Sequence, residues 1–253
     1  FEGNPLFNAG IGATCTAEGT FELDASIMEG KDLSAGAVAG LKHVKHPINA
    51  AYAVKTKSPH VMLSGAGAEE FAKEQGLEMV EDNMYFATPK TMEWIEKLKQ
   101  ESKKNGTVGC VVLDKQGNLT AGTSTGGMFK KRWGRIGDSP VIGAGTYADN
   151  NSCAVSCTGH GEYFIRHAVA FDVCARYKYL KESVEKAADY IIHTELNTNA
   201  GNGGLIAVDK LGNIAMPYNS GGMFRGFLYK EKGSPEIKKG CGIGKKIVVV
   251  GEK

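Results

Sequence analysis

The sequence predicts an α+β fold in which helices cover antiparallel sheets. Two stretches have the pattern of a strand, a tight turn and a return strand, at 107–125 and 205–218, and two longer helical stretches lie between them, at 159–179 and 180–196. Strands do not alternate strictly with helices, which disfavours a parallel Rossmann-type sheet. Glycine supplies 34 of the 253 residues, nearly twice the usual share of about 7%, as expected of a fold with many tight turns.

The residues before 105 carry weaker patterns. Apolar residues spaced at i, i+3 and i+4 predict amphipathic helices at 68–75 and 90–104. Proline stands at the first position of a predicted helix at 47–55, where its missing N–H is tolerated. We also expect a helix at 34–44 and a short strand at 18–23.

The two predicted hairpins resemble each other. Residues 113–129 align without gaps with residues 208–224, and eight of the seventeen positions are identical. A turn of this type suits any tight connection, so convergence is one explanation and an internal repeat is the other. The same alignment places Asn202 opposite Thr107 and Ser220 opposite Thr125. Only the first copy therefore has threonine at both positions.

Composition limits the classes of function. Lysine and arginine number 30 and aspartate and glutamate 28, which leaves a net charge of +2. That balance gives no basic surplus for nucleic acid, and no apolar run is long enough to span a membrane. Six cysteines are too sparse for a disulfide scaffold, so we expect buried free thiols, which fits a cytoplasmic location. The sequence begins with Phe1 instead of Met, so we expect a processed or truncated product whose targeting segment is not visible.

One serine motif points to nucleophilic chemistry. Residues 122–126 match G-x-S-x-G with Ser124 at the centre, and Asp138 and His160 follow in the order of a Ser-Asp-His triad. A nucleophile elbow needs a strand, a sharp turn and then a helix, whereas the sequence after 126 cannot form a clean helix. Ser124 is therefore the weaker alternative nucleophile.

Three further patterns are incomplete. The third glycine of a dinucleotide site is missing after the glycines at 10–12 and 65–67, and the spacing of a P-loop is missing at 240–246. A fourth zinc ligand is missing beside Cys153, Cys157 and His160. We therefore predict neither nucleotide binding nor a zinc site.

The junction between Gly106 and Thr107 is the most informative position, because a polar loop ends there and an apolar strand begins. If the peptide bond were cleaved, Thr107 would carry a hydroxyl and a free α-amine whose pKa lies near 8, which is an established pair of nucleophile and base. Gly106 tolerates the strained backbone that an N-to-O acyl shift needs. An ordinary boundary between loop and strand is the alternative.

A resemblance favours the cleaved threonine. The motifs GTVGCVVLD, GNLTAGTSTGG, KRWGRIGDSPVIGAGTYADN and CTGHGE, with FNAGIGA, ELDASIM and SPHVML before them, resemble those of the plant-type L-asparaginase and isoaspartyl peptidase family of N-terminal-nucleophile hydrolases. The resemblance covers essentially the whole chain. It implies a four-layer αββα sandwich, cleavage into an α subunit (1–106) and a β subunit (107–253) that together form one domain, and a dimer of such heterodimers.

The resemblance also implies a set of catalytic residues. Cleavage would occur between Gly106 and Thr107, which makes Thr107 the nucleophile. Thr125 matches the threonine that hydrogen-bonds the nucleophile. Thr158 and Gly159 match the oxyanion hole, with a hydroxyl and a backbone N–H aimed at the developing charge.

Four residues match the family's substrate contacts. Arg135 and Asp138 match the pair that holds the α-carboxylate and the α-ammonium of the substrate, as suits a guanidinium fork and a carboxylate. The carbonyl of Gly161 matches a second acceptor for the ammonium, and Asn8 matches an asparagine near the nucleophile. The implied substrates are L-asparagine and β-aspartyl peptides, which react through a β-aspartyl ester of Thr107.

The resemblance implies no cofactor for catalysis, but it implies a structural sodium ion. Potassium activation through a loop at roughly 64–80 occurs in some plant members. The sodium would bind backbone carbonyls of the first loop, namely those of Phe1, Glu2, Asn4, Phe7, Ala9 and Ile11.

Two alternatives and one departure accompany this interpretation. Glycosylasparaginases share the same site residues but usually have aspartate before the nucleophile, where this sequence has Gly106. An uncleaved or truncated scaffold without activity is the other alternative. The first strand of the family, with its H-G-G-A-G motif, and two helices are absent, so we expect one sheet to have an open edge or a gap.

Overall fold

The computed structural model describes residues 1–96, 106–230, 237–243 and 248–251. The described strands are β1 (Leu23–Glu29), β2 (Ala35–Leu41), β3 (Met62–Ser64), β4 (Val108–Leu113), β5 (Leu119–Thr125), β6 (Thr146–Ala148), β7 (Cys153–Gly159), β8 (Gly203–Asp209), β9 (Ile214–Ala215), β10 (Phe224–Lys230), β11 (Ile237–Ile243) and β12 (Val248–Gly251). The described α-helices are α1 (Pro47–Lys57), α2 (Gly65–Glu74), α3 (Pro89–Glu96), α4 (Gly161–Arg166), α5 (Val169–Leu180), α6 (Val184–Tyr190) and α7 (Leu196–Thr198).

These strands form three sheets. The first has the order β3-β2-β1-β5-β4, and the second has the order β6-β7-β8-β9. All neighbours in these two sheets are antiparallel except β2 and β3, which are parallel. A third antiparallel sheet contains β10, β11 and β12. The fold is thus mixed α/β with mainly antiparallel sheets, and no helix in the described ranges has the length and apolar character to cross a membrane.

Alternation along β1 connects the first sheet to two different cores. Leu23 and Ala25 belong to a buried cluster with residues of α1 and α2, whereas Met28 belongs to a cluster with residues of β7 and β8, because successive side chains of a strand point to opposite faces. Ser26 lies on the same face as Met28, and its hydroxyl donates to the backbone oxygen of Ser139 at 2.6 Å. A third cluster packs α5 and α6 on β7 and β8.

Both predicted hairpins are confirmed, and their turns share one hydrogen-bond pattern. The Asp114 carboxylate accepts from the backbone and the side chain of Asn118 at 2.7 and 2.9 Å. The Asp209 carboxylate accepts from the same two groups of Asn213 at 2.9 and 2.8 Å. The copies diverge afterwards, since β5 continues to Thr125 while β9 ends at Ala215.

Two predictions in the first half are wrong. Residues 35–41, predicted as helix, form β2, whose small side chains suit either structure but here lie under α1. The backbone of α1 approaches so closely that a methyl group at Gly36 would overlap it. The strand predicted at 18–23 starts at Leu23 instead.

The helices of the first half are confirmed over most of their lengths. The helices predicted at 47–55 and 68–75 correspond to α1 and α2. The helix predicted at 90–104 corresponds to α3 up to Glu96, and its remainder lies outside the described residues.

The first long helical stretch is broken into two helices, whereas the second is helical from Val184 onward. Ala168 and Lys181 have φ values of 46° and 58°, in the left-handed region that a helix cannot continue through. The first separates α4 from α5, and the second separates α5 from α6. The sequence predicts none of the strands β3, β6, β7, β10, β11 and β12.

The six cysteines are all free thiols, but only some are buried. Those inside the fold are Cys15, Cys153, Cys157 and Cys174, and those exposed are Cys110 and Cys241.

Candidate active site

Thr107 and Thr125 meet at the ends of two neighbouring strands. Because β4 and β5 are antiparallel with Val108 opposite Ser124, Thr107 precedes β4 beside Thr125, the last residue of β5. The Thr107 hydroxyl donates to Thr125 Oγ1 at 3.2 Å. The Thr125 hydroxyl in turn donates to the carbonyl oxygen of Gly106 at 3.0 Å. A single chain of hydrogen bonds therefore joins the threonine hydroxyls to the peptide bond that precedes Thr107.

Asn8 provides a second donor to that peptide bond. Its Nδ2 donates to the carbonyl oxygens of Gly106 at 2.6 Å and of Gly127 at 2.8 Å, while its Oδ1 accepts from the backbone N–H of Thr14 at 2.7 Å. These three contacts fix the orientation of the amide. The backbone N–H of Gly127 donates to Thr125 Oγ1 at 3.0 Å, so Gly127 contacts both donors of the Gly106 carbonyl.

A small cleft opens beside these groups. It brings together the predicted nucleophile, its partner and both predicted groups for the substrate's α-substituents. Its lining residues are Gly106, Thr107, Thr125, Gly127, Met128, Arg135, Gly137, Asp138, Ser139 and Gly159.

Arg135 is held in place by a carboxylate that the sequence did not identify. Its Nε donates to Glu162 Oε1 at 2.8 Å, and its Nη2 donates to Glu162 Oε2 at 2.9 Å. Glu162 lies in the first turn of α4, and hydrogen bonding to Arg135 lowers the pKa of its carboxyl group. Arg135 Nη1 takes no part in this fork.

Asp138 is a buried carboxyl group at the same cleft. Only 4% of the residue is exposed, and its Oδ2 has no hydrogen-bond partner. Burial raises the pKa of Asp138 to about 7, against the opposing attraction of Arg135. The carboxyl group therefore changes charge near neutral pH and has an oxygen available for a ligand.

The remaining predicted residues lie around this cleft. A methyl group at Gly161 would lie 2.8 Å from Arg135 Nη2 and 2.9 Å from Asp138 Oδ1, so only glycine fits between them. Gly159 lines the cleft with a φ of 145°. Thr158 precedes it in β7 but is not among the lining residues.

The alternative nucleophile Ser124 is not supported. It lies within β5, one residue before Thr125, so its side chain points to the opposite face of the sheet. Its hydroxyl donates to Glu2 Oε1 at 2.6 Å, and no helix follows to complete a nucleophile elbow. Among the residues that the structure describes, no three His, Cys, Asp or Glu side chains are grouped so that they could hold a metal ion.

Comparisons with known proteins agree on the family. A family model described as "Asparaginase" matches residues 1–237. The chain belongs to the asparaginase family. The "Isoaspartyl peptidase" of Salmonella typhimurium is 50% identical over 242 residues, which are 90% of this chain and 77% of that protein.

Other members of the asparaginase family come from distant organisms. The "Probable isoaspartyl peptidase/L-asparaginase 2" of Arabidopsis thaliana is 44% identical, with 89% of this chain and 78% of that protein covered. The "Isoaspartyl peptidase/L-asparaginase" of Homo sapiens is 41% identical, with 88% and 74% covered. This asparaginase-family chain is thus a member of a hydrolase family.

Sequence reasoning missed three charged residues behind this family site, namely Glu162, Lys131 and Asp24. Glu162 and Asp24 occur in the motifs TGHGE and ELDASIM, but nothing in their spacing reveals their partners. Lys131 stands within a run of basic residues, which usually indicates an exposed surface, and here its side chain is 1% exposed.

Proposed function

We propose that this chain is an amidohydrolase that cleaves the side-chain amide of L-asparagine and the isopeptide bond of β-aspartyl peptides. The observation that carries the proposal is the hydrogen bond of 3.2 Å between the Thr107 and Thr125 hydroxyls, in the cleft that also contains Arg135 and Asp138. The names of the relatives point to the same two substrates.

The first proposed step is cleavage before Thr107. Thr107 Oγ attacks the carbonyl carbon of Gly106, the C–N bond breaks and the nitrogen takes the hydroxyl proton, so an ester replaces the peptide bond. Water then hydrolyses the ester and frees the Thr107 hydroxyl and α-amine. Asn8 and Thr125 both donate to the Gly106 oxygen, which supports their role in stabilising the negative charge that develops there.

The second proposed step is turnover. The neutral α-amine of Thr107 accepts the proton of its own hydroxyl, whose oxygen attacks the β-carbonyl carbon of the substrate. The C–N bond then breaks, and ammonia or the amino group of the released amino acid takes the proton. Water attacks the β-aspartyl ester, aspartate leaves, and the proton returns to Thr107 Oγ. Thr158 and Gly159 are the proposed oxyanion hole.

The proposed substrate contacts follow from charge. Arg135 binds the α-carboxylate through Nη1, the nitrogen that does not donate to Glu162. The ionised form of Asp138 binds the α-ammonium through Oδ2, which has no hydrogen-bond partner. The carbonyl of Gly161 is the second proposed acceptor for the ammonium, since a methyl group on this residue would contact both side chains.

The proposal extends to architecture and assembly. Helices α1 and α2 pack on the first sheet, β4 and β5 face β7, and α5 packs on β7, which supports the four-layer αββα sandwich. We propose that residues 1–106 and 107–253 become the α and β subunits of one domain. A dimer of such heterodimers is part of the same proposal.

A sodium ion in the first loop is a further part of the proposal. The loop closes on itself, since the carbonyls of Phe1 and Glu2 accept backbone N–H groups of Asn4 and Ile11. The carbonyl oxygens of Pro5 and Phe7 converge near Gly12, since each lies 2.7 Å from the position that an added methyl group on Gly12 would take. Such converging carbonyls fit a hard cation, and this ion would stiffen the loop that carries Asn8.

The decisive experiment removes the hydroxyl of Thr107. We expect Thr107→Ala to remain one chain of 26.9 kDa and to release no ammonia from asparagine. Thr120→Ala is the matched control, because Thr120 lies on β5 outside the cleft, and it should cleave and turn over like the wild type. Ammonia release by Thr107→Ala would contradict the proposal, and a wild-type protein that stays uncleaved would favour a scaffold.

A further inference from the structure

A buried group of charges lies behind the candidate site. Lys131 Nζ lies 3.9 Å from Asp24 Oδ2 and 3.9 Å from Glu22 Oε2, and it donates to the backbone oxygen of Glu22 at 2.9 Å. The side chains of Lys131 and Asp24 are each 1% exposed. Such burial is costly for unpaired charges, so the ammonium and the carboxylates depend on each other.

This group of charges joins a turn to a strand. Asp24 is in β1, directly opposite Thr125 of β5, and Lys131 ends the turn that follows β5. Backbone hydrogen bonds also hold the turn, since Gly126 N donates to Asn8 O, Lys130 N donates to Cys15 O and Ala17 N donates to Lys131 O, each at 3.0 Å. The side chain of Lys131 adds an attachment to the start of β1.

The ammonium lies directly against Gly127. A methyl group at Gly127 would lie 3.1 Å from Lys131 Nζ and 3.2 Å from its Cδ. Gly127 has a φ of 76°, and its N–H and C=O contact Thr125 and Asn8. A shift of Gly127 therefore moves both donors of the Gly106 carbonyl.

We propose that Lys131 is a positioning residue that tethers the turn 126–131 to β1 and thereby holds Gly127 against Thr125 and Asn8. The inference rests on the proposed function, which assigns the roles of Thr125 and Asn8. Lys131 does not line the cleft, and its side chain packs against Gly127, so we expect its effect to pass through the position of Gly127. Its loss should slow both cleavage and turnover, because Thr125 contacts the Gly106 carbonyl that is cut in the first step and the Thr107 hydroxyl that reacts in both.

The test separates positioning from stability. Lys131→Met keeps the volume of the side chain and removes the charge, and a displacement of about 1 Å can lower a rate about a hundredfold, so we expect losses of that order in the cleavage rate and in kcat. KM should change little, because Arg135 and Asp138 keep their contacts. The double variant Lys131→Met/Asp24→Asn removes both charges, so it should regain the lost Tm but not the lost rates.

Two further variants keep the test decisive. Asp24→Asn retains an acceptor for the Gly40 N–H, which now donates to Asp24 Oδ1 at 2.8 Å, so it should fold and lower both rates by about tenfold as the tether weakens. Lys45→Met is the control, because Lys45 forms a 2.7 Å pair with Glu78 on the surface, and it should match the wild type.

The outcomes distinguish the inference from the function. If the double variant regained the wild-type rates together with its Tm, or if Asp24→Asn matched the wild type, Lys131 would be a purely structural residue and the inference would fail alone. If the wild-type protein neither cleaved itself nor released ammonia, the proposed function itself would fail.

Discussion

The guanidinium of Arg135 is fixed by Glu162 through two hydrogen bonds of 2.8 and 2.9 Å. One edge of the planar group is thereby occupied, and Nη1 points elsewhere, toward Gly137 and Gly127 of the cleft. A cation that is already ordered loses less conformational entropy when it binds a carboxylate. Glu162 thus orients Arg135 so that Nη1 faces the cleft in which the substrate carboxylate is proposed to bind.

Glu162→Ala should weaken substrate binding more than it slows chemistry. We expect KM for asparagine to rise roughly tenfold, or about 1.4 kcal/mol, because Arg135 must then be ordered by the substrate. The lost negative charge acts in the opposite direction, but Glu162 is 46% exposed and its field is screened. Steady-state kinetics check this, with Glu185→Ala in the first turn of α6 as the control. An unchanged KM would contradict it.

Thr125→Val should slow the cleavage before Thr107. The variant removes the acceptor for Thr107 and one of two donors to Gly106, and loss of one such donor costs about a hundredfold or more in rate. The fraction of cleaved chain is measured over time by denaturing gel and intact mass. Thr120→Val on the same strand is the control. Cleavage of Thr125→Val at the wild-type rate would exclude this role.

Asp138→Asn should lower the activity and raise the melting temperature. Burial raises the pKa of Asp138 to about 7 from 3.8, so below pH 3.8 the group is protonated in both states, and its charge destabilises the fold increasingly as the pH rises toward 7. We expect Tm at pH 8 to rise by about 3 °C or more, with a smaller gain at pH 5. Thermal unfolding at both pH values tests this, and an equal or lower Tm at pH 8 would refute it.

The same pKa predicts a pH dependence of turnover. The ionised carboxylate is the form that attracts the substrate's ammonium, so kcat/KM of the wild-type protein should fall as the pH drops below about 7. A substrate analogue without the α-amino group should lack this dependence on Asp138. The comparison of the two pH profiles separates Asp138 from other titrating groups.

Gly161→Ala should separate maturation from turnover. The added methyl group would overlap Arg135 Nη2 and Asp138 Oδ1, whereas Gly106, Thr107 and Thr125 are untouched. The variant should therefore cleave normally and show a raised KM, with kcat/KM lower by about tenfold or more. Gly67→Ala in α2 is the control, because nothing lies within 4 Å of its added methyl group. Defective cleavage in Gly161→Ala would contradict this separation.

The hairpins could be predicted from sequence because their signals are local. Asp114 and Asp209 each close a turn within four residues, and an apolar run precedes each turn. The proximity of Thr107 and Thr125 then follows from strand register alone. By contrast, the sequence predicts a helix over 35–41 where the structure has β2, because alanine and glycine suit both structures and only the close approach of α1 explains their small size.

The charged residues behind the site could not be predicted for a similar reason. Lys131 and Asp24 are far apart in sequence, and so are Arg135 and Glu162. A lysine in a basic run carries no local sign that it turns inward. Only the packing of the turn 126–131 onto β1 reveals that its charge is buried.

In the uncut chain, the Thr125 hydroxyl and the Asn8 amide both donate hydrogen bonds to the Gly106 carbonyl and are not available to a substrate. With the proposed cleavage, each new molecule is its own zymogen, inhibited by its own backbone until that bond is broken. Enzyme activity would then lag behind synthesis with the half-time of a first-order reaction. The length of that delay would depend on how fast a single molecule cuts itself, so it would be the same in dilute and in concentrated protein.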